Sequence, residues 1–290
     1  MLKDIKKYHK LLVIFFLMLL AIAIGCRIVK SRIYHSDTGI NLVVVGEDEV
    51  AVVGVTNKEE SLVWVDLPDN LRVDGYPARS LWGLGEIEGE SEDMVKTSLG
   101  DNLGLWVHAS IKVEGDVSVE SLLKRLLSLK RIENINWIDR YVLYKDISSL
   151  TSKGVVLELN LPYQVTEKVQ DVDGYEWLEL NEAVFVWSRD LWPKEEVMNL
   201  GITAEVINVS GEPGKARKKA RQLESVGFRV VSVEAGSNDI QSECLVKVGQ
   251  QMEEKKELLQ RVFESYLNCD VETFDEGDEF FGDVVFFVGS

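Results

Sequence analysis

The sequence predicts an α/β protein in three parts: an N-terminal transmembrane helix, a layered α/β domain over residues 41–198, and a small βαββαβ two-layer sandwich over residues 203–290. Three observations lead to this prediction. A long uncharged apolar run follows a basic N-terminus. Strand-like and helix-like patterns alternate through the middle of the chain. The C-terminal part has the order β-α-β-β-α-β, which is typical of a split βαβ sandwich.

Composition and charge narrow the class of protein. A length of 290 residues suits two domains, and 46% hydrophobic with 28% charged residues excludes disorder throughout. Residues 1–32 hold seven Lys/Arg and one acid, whereas the rest of the chain has 25 Lys/Arg against 48 Asp/Glu. A body this acidic repels nucleic acid, so we expect no nucleic-acid partner.

The N-terminal residues predict a membrane anchor. Residues 1–10 carry four lysines, and residues 11–25 carry no charge. Taken over residues 11–29, the segment is long enough to cross a bilayer when its charged flanks reach the headgroups. The short basic tail favours a cytoplasmic N-terminus. We therefore expect a single-pass signal anchor in the cell membrane, a linker over residues 30–40, and an extracytoplasmic body.

The cysteines leave two questions open. Ala23 and Gly25 before Cys26 resemble part of a bacterial lipoprotein cleavage box, but the usual Leu is absent, so an uncleaved anchor is the preferred interpretation. Cys244 and Cys269 either form a disulfide outside the cytoplasm or are two cysteines that face a core. Neither interpretation gives a catalytic thiol.

The layered domain is predicted to begin with three strands, residues 41–46, Val50–Thr56 and Ser61–Leu67, of which the last two form a β-hairpin. The later patterns predict a helix near residues 91–99 capped by Ser91, a strand at 106–113, an amphipathic helix at 118–129, strands at 140–144 and 155–161, and a helix at 181–186 with a second helical stretch after Pro193.

The C-terminal part is predicted as one compact unit after a boundary near residues 199–202. Its elements are a strand at 203–209, a tight turn at 210–214, the helix Lys215–Val226 with Gly227 at its C-cap, strands at 228–233 and 243–248, a helix at 252–267 and a closing strand at 283–288. Four strands covered on one face by two helices are expected.

The turn and helix of this unit carry a family resemblance. The matching residues are Asn208, Ser210, Gly211, Gly214, Ala216, Gly227 and Phe228, together with the closing strand. Residues 203–290 thereby resemble the C-terminal domain of LytR-type cell-envelope proteins, which open with an Asn-x-Ser/Thr-Gly-x-x-Gly-x-Ala turn. The resemblance implies an extracytoplasmic domain of a bacterial envelope protein.

The preceding region, with its strands and Pro-Asp turn, resembles a degenerate LytR-CpsA-Psr domain. That domain transfers envelope glycopolymers from polyprenyl-pyrophosphate carriers to the wall. Family members carry Arg-Ser-Asp-Thr at the second strand and Pro-Arg-Asp after the third, and this chain has neither. Because arginines bind the pyrophosphate and carboxylates hold Mg²⁺, we expect no enzyme activity and no cofactor.

An alternative transferase site remains. Asp48, Asp69, Arg72 and Arg79 could form a rearranged site that uses Mg²⁺. The three histidines lack the spacing of a zinc site, and no serine lies in a nucleophile elbow.

The best candidate for ligand contact is the basic stretch that begins the helix Lys215–Val226. Lys215, Arg217, Lys218 and Lys219 follow a turn in which Gly211 and Gly214 could present backbone N–H groups to an anion. The structural alternative is a solvated helix face after a turn that needs its glycines. Among the seven tryptophans, Trp82 in a Gly-rich loop is kept as a possible sugar contact.

The leading functional hypothesis is a membrane-anchored, non-catalytic envelope protein whose C-terminal domain binds a cell-wall component or an envelope partner. The second is a Mg²⁺-dependent glycopolymer phosphotransferase. A third is a structural anchor that docks onto another membrane protein.

Overall fold

A computed structural model describes residues 39–56, 61–75, 81–192, 195–236, 240, 242–249, 252, 255–274 and 280–289, with residues 14, 15, 18 and 25 before them. The predicted tail, transmembrane segment and linker therefore lie almost wholly outside the described residues. Within the described ranges, no helix is both long and apolar enough to cross a membrane.

The described residues form fourteen strands and seven α-helices. The strands are β1 Ile40–Val45, β2 Val50–Thr56, β3 Ser61–Leu67, β4 Leu71–Asp74, β5 Leu81–Gly83, β6 Ala109–Lys112, β7 Val156–Asn160, β8 Thr166–Gln170, β9 Glu176–Leu180, β10 Thr203–Asn208, β11 Arg229–Ala235, β12 Cys244–Val248, β13 Asp270–Thr273 and β14 Val284–Val288. The helices are α1 Glu92–Leu103, α2 Val119–Leu127, α3 Trp137–Lys153, α4 Ala183–Leu191, α5 Glu195–Leu200, α6 Lys215–Val226 and α7 Lys256–Gln260, and a π-helix at Arg261–Tyr266 continues α7.

A five-stranded sheet in the order β6-β1-β2-β3-β7 forms the centre of the first domain. β1, β2 and β3 are antiparallel neighbours, and the edge strands β6 and β7 pair in parallel with β1 and β3. Every residue of β1 is buried. An apolar strand without alternation is expected where both faces of a sheet are covered.

Two separate hydrophobic clusters cover the two faces of this sheet. One contains Leu42, Val53 and Trp64 and packs against α2 and α3. The other contains Val43 and Val52 and packs against α1, α4 and the strand β4. Because neighbouring residues of a strand point to opposite faces, the single run of valines in β1 supplies both clusters. The domain is therefore layered, as predicted.

A second sheet has the strand order β5-β4-β9-β8. Its strand β4 contributes Leu71 and Val73 to the cluster that contains Val43 and Val52. None of its strands was among the predicted elements. They are short, and β8, which reads Thr-Glu-Lys-Val-Gln, is exposed at three of its five residues, whereas β9 is partly buried after an exposed first residue. Short strands whose residues do not alternate between the two faces give little period-2 signal in the sequence.

The predicted strand at residues 140–144 is wrong, because these residues lie inside α3. Asn136 caps this helix by accepting hydrogen bonds from the backbone N–H groups of Ile138 and Asp139, at 2.9 Å each. Leu143, Ile147 and Leu150 are buried at helical spacing. The local alternation of polar and apolar residues resembled a strand, but the cap and the longer repeat decide for a helix.

The C-terminal domain also differs from the predicted four-stranded split βαβ arrangement. Its sheet has five strands in the order β11-β10-β14-β12-β13. β10 pairs directly and in parallel with β11, and β12 pairs in parallel with β13. The two βαβ units are therefore not split, and the last strand β14 joins them. The core nevertheless draws on α6, α7 and the following π-helix together, as two helices on one face require.

The structure joins Cys244 and Cys269 by a disulfide. The two cysteines directly precede Leu245 and Asp270, which are register partners in the parallel pair β12 and β13. The bond thus closes the second βαβ unit at the start of both strands.

We expect reduction of this disulfide to destabilise the C-terminal domain. The bond closes a loop with a sequence separation of 25 residues, and a loop of that length corresponds to about 3 kcal/mol through the entropy of the unfolded chain. Urea unfolding with and without reductant measures the loss. The variant Cys244→Ser/Cys269→Ser is the control, since its stability must not respond to reductant. An equal response in both proteins would contradict the assignment.

Candidate functional site

The Gly-rich turn before α6 is held by Asn208. Its Oδ1 accepts hydrogen bonds from the backbone N–H and the hydroxyl of Ser210, at 3.2 and 2.7 Å, and its Nδ2 donates to the carbonyl of Glu212 at 2.7 Å. Gly211 and Gly214 adopt φ values of 76° and 86°. Residues other than Gly rarely adopt these backbone φ values, so the conformation of the turn alone accounts for both glycines.

The basic residues of α6 divide into two groups. Arg217 is exposed, and Lys215 is partly buried with its Nζ 4.0 Å from a carboxylate oxygen of Glu212. Lys218 and Lys219 instead lie between α6 and the first domain. The predicted ligand-binding set is therefore not one continuous surface, and its role in binding stays a prediction.

Asp101 of α1 is the first contact point across this interface. Its carboxylate lies 3.3 Å from Lys218 Nζ and accepts a hydrogen bond from Gln222 Nε2 at 3.0 Å. Gln222 is buried beside the apolar core residues Leu223 and Val226, at the edge of the helix face that packs on the core. This face of α6 is consequently an interface, and it is not the solvated face that the sequence suggested.

Two aromatic rings complete the interface. Lys219 Nζ lies 4.5 Å from the ring centroid of Trp106, and the Arg221 guanidinium lies 3.7 Å from that of Phe185. Arg221 also forms an ion pair with Glu182 at 2.5 Å. Cation–π contacts of this kind strengthen when they are partly shielded from water. Lys219 and Arg221 therefore make contacts within the molecule.

Burial shifts the pKa of two groups at this interface. Burial lowers the pKa of Lys219, while the nearby carboxylate of Asp101 acts in the opposite direction. Burial raises the pKa of Glu224 on the same helix, and Arg189 and Arg221 partly offset that effect. Both shifts mean that the charged form is less favourable here than in water.

The alternative transferase residues lie mainly at one end of the central sheet. Asp48 belongs to the turn between β1 and β2, and Asp69 to the turn after β3. Since Val50 pairs with Leu67, both acids lie at the same end of this hairpin. Arg72 lies on β4, and Arg79 lies outside the described residues.

Arg72 is already bound by acidic partners. Its guanidinium lies 3.2 Å from Asp171 and 3.8 Å from Glu179, and 5.0 Å from the ring centroid of Trp177. The pKa of Asp171 is lowered, first by the backbone N–H of Val172 and further by Arg72. An arginine whose charge is matched by two carboxylates has little attraction left for a pyrophosphate.

Two further predicted features have limited structural description. Trp82 lies in β5, where its backbone pairs with Val73, and its side chain is outside the description. Across the part of the chain that is described, no group of three or more His, Cys, Asp or Glu side chains is arranged to hold a metal ion.

Sequence reasoning missed the partners of these cations. Asp101, Glu182, Asp171 and Glu179 are ordinary surface acids in the sequence, separated from their partners by 39 to 121 residues where a hydrogen bond is formed. The structure buries two polar residues of α6, Gln222 and Ser225, and this burial marks the interface. The sequence does not show that burial. No periodic pattern identifies acids that are brought together only by tertiary packing.

Comparisons with known proteins give distant structural matches only. No family profile matches the sequence, and no curated protein matches it. Among solved structures, TagT of B. subtilis is 12% identical with a TM-score of 0.37, and covers 57% of this chain and 91% of its own. TagV of B. subtilis is 11% identical with a TM-score of 0.39, covering 51% and 93%. Lin1025 of Listeria innocua is 11% identical with a TM-score of 0.37, covering 57% and 97%. Similarities this distant identify no activity, so function must be argued from the residues of this chain.

We expect Asp101→Asn to weaken the contact between the domains. The change removes the negative charge beside Lys218 and Lys219 and leaves these partly buried cations without it, at a cost of about 1–3 kcal/mol. The measurement is the urea unfolding midpoint, with Trp106 contributing to the fluorescence signal. Asp93→Asn is the matched control, because Asp93 is an exposed acid of the same helix that pairs with Lys96. Equal effects of the two changes would contradict the proposed role of Asp101.

We expect Glu224→Gln to stabilise the protein at neutral pH. Because the folded-state pKa of Glu224 is raised, its carboxylate opposes folding above that pKa, and the penalty disappears below the pKa of the unfolded chain. Unfolding midpoints measured at pH 7 and at about pH 3 should differ from the wild type only at pH 7.

Glu120→Gln is the control for this change, since the hydrogen bond and charge of Lys124 lower the pKa of the exposed Glu120. Glu120→Gln should slightly lower the unfolding midpoint at pH 7. A loss of stability at pH 7 in Glu224→Gln would contradict the expectation.

Proposed function

We propose that this chain is a non-catalytic, membrane-anchored protein of the bacterial cell envelope, whose extracytoplasmic C-terminal domain binds a cell-wall component or an envelope partner. The observation that carries the non-catalytic part is the state of Arg72. Its charge is matched by Asp171 and Glu179, so the best-placed cation for a pyrophosphate is occupied.

The local charge balance supports the same proposal. Asp48 and Asp69, with Glu47 and Glu49 nearby in the β1–β2 turn, crowd one end of the central sheet with acids. The phosphotransferase hypothesis requires several cations to neutralise a polyprenyl pyrophosphate. Among the described residues, acidic side chains near the paired Arg72 oppose such binding by electrostatic repulsion.

The disulfide supports an extracytoplasmic location. Bonds between cysteines persist in oxidising compartments and are rare in the cytoplasm. Cys244 and Cys269 are joined in the domain that we propose to face the envelope. Together with the basic and apolar N-terminus, this pairing favours a body held outside the cytoplasm by a single-pass anchor.

The binding surface that we propose is the exposed start of α6. The turn with Gly211 and Gly214 is exposed, the first turn of α6 has no acidic residue, and Arg217 faces solvent. Lys215 lies beside it. An anionic group of a wall polymer would meet backbone N–H groups, Arg217, and Lys215 in competition with the carboxylate of Glu212, which lies 4.0 Å from Lys215 Nζ.

Binding to isolated cell-wall sacculi tests this proposal. The full chain in detergent should sediment saturably with sacculi, and Lys215→Glu/Arg217→Glu should reduce sedimentation at least about tenfold by replacing attraction with repulsion. Lys153→Glu/Lys168→Glu makes the same change in net charge at exposed residues of the first domain and should sediment like the wild type.

Two results would contradict the proposal. Absence of saturable sedimentation at any salt concentration would remove the wall-binding part. Transfer of a labelled glycopolymer from a polyprenyl-pyrophosphate carrier by the purified chain would remove the non-catalytic part.

A further inference from the structure

A basic and apolar surface protrudes from the first domain at the loop between α2 and α3. Residues 124–131 read Lys-Arg-Leu-Leu-Ser-Leu-Lys-Arg, with four basic residues and no acid in a chain that has an excess of acids. We call this segment, together with Trp137, Tyr141 and Lys145 of α3, the α2–α3 surface.

The α2–α3 surface exposes large apolar side chains. Leu129 is fully exposed, and Leu127, Trp137 and Tyr141 are each more than half exposed. In the helix α2, Leu122 and Leu126 are buried, so Leu127 is an apolar residue that the core does not use. Trp137 and Tyr141 are four residues apart on α3 and therefore share one face of the helix. Several exposed apolar residues together indicate an interaction surface.

Two arginines hold this surface in its exposed conformation. Arg125 donates hydrogen bonds to the carbonyls of Lys112, Lys130 and Arg131, at 2.9, 2.9 and 2.8 Å. Arg140 of α3 donates to the carbonyls of Leu126, Ser128 and Lys130. Because the backbone of the loop is bonded at so many points, Leu129 cannot turn inward without breaking these bonds.

The α2–α3 surface contains five basic residues and no acidic one. The pKa of Arg140 is lowered by burial and by the positive charge of Arg125 beside it. Lys124 and Lys130 form exposed ion pairs with Glu120 and Glu114, which are weak in water. Glu133 lies on the exposed loop that follows. The cations of the segment still exceed the acids around it, in contrast to the rest of the molecule.

We propose that the α2–α3 surface docks on a bilayer that contains anionic lipid headgroups. Exposed Leu, Trp and Tyr side chains between Lys and Arg are the combination that inserts at a membrane interface, since the rings and the leucines enter the headgroup region while the cations bind phosphates. Charge complementarity favours this occupant over a basic or neutral one. The inference is independent of the proposed wall-binding surface, which lies in the other domain.

Val172 provides a matched internal control. It is fully exposed and apolar, like Leu129, but it lies on the β8–β9 turn between Asp171 and Asp173. If docking depends on exposed apolar side chains alone, both residues should approach a membrane. If it depends on the cations as well, only Leu129 should do so.

Spin labelling of the full chain tests the proposal. The variants Cys26→Ser/Leu129→Cys and Cys26→Ser/Val172→Cys, with the disulfide intact, carry a nitroxide and are reconstituted in vesicles of phosphatidylcholine with or without phosphatidylglycerol. We expect the label at position 129 to gain accessibility to oxygen and lose accessibility to a water-soluble nickel chelate only when phosphatidylglycerol is present. The label at position 172 should remain in water in both lipids.

Neutralising the cations tests the electrostatic part. Lys124→Gln/Lys130→Gln/Arg131→Gln should lower the docking equilibrium on the order of a hundredfold, at about fivefold for each cation removed. An unchanged unfolding midpoint shows that the variant folds, since these side chains are exposed.

Three results would overturn the proposal. They are equal environments for the labels at positions 129 and 172, docking that does not require phosphatidylglycerol, and shielding of position 129 that depends on protein concentration in detergent. The last result would identify a second copy of the chain as the occupant.

Discussion

The burial of α6 on two sides is the constraint on which the arrangement of this protein depends. One side of the helix contributes Ala216, Ala220 and Leu223 to the core of the C-terminal domain. The helix also buries Gln222 and Ser225 and places Lys219 against Trp106 of the first domain. A helix that carries cations can be buried on its second side only where carboxylates and aromatic faces receive the charge. The two domains are thus joined by an ion pair, a hydrogen bond and a cation–π contact.

The basic residues of α6 and those of the α2–α3 surface differ in their contacts. In α6, Lys218 and Arg221 meet Asp101 and Glu182, so much of their charge is matched inside the molecule. In the α2–α3 surface, Arg125 holds the backbone of the loop, and Lys124, Lys130 and Arg131 remain at the surface beside exposed leucines. The composition of a segment therefore shows only that charged residues are present. The neighbouring elements determine whether those residues pair within the molecule or remain exposed to a partner.

The turn before α6 could be predicted from the sequence, whereas the acidic partners of Arg72 could not. The motif around Asn208 and Gly211 identified a turn and a helix start, because both depend on local hydrogen bonds and positive φ values. The pairing of Arg72 with Asp171 and Glu179 was not predicted. Glu179 lies on β9 and Asp171 on the turn before it, and β9 was itself missed because it is short and its residues do not alternate between exposed and buried.

The sequence by itself determined the elements whose stability is local or periodic. These include the apolar strands β1 to β3, the capped start of α1 at Ser91, and the helix Lys215–Val226. Only the tertiary structure decided that α3 is a helix through residues 140–144, that β10 pairs directly with β11, and which acid meets which cation. The physical reason is that caps and hydrophobic periodicity act within a few residues, whereas strand order and ion pairs depend on groups far apart in the chain.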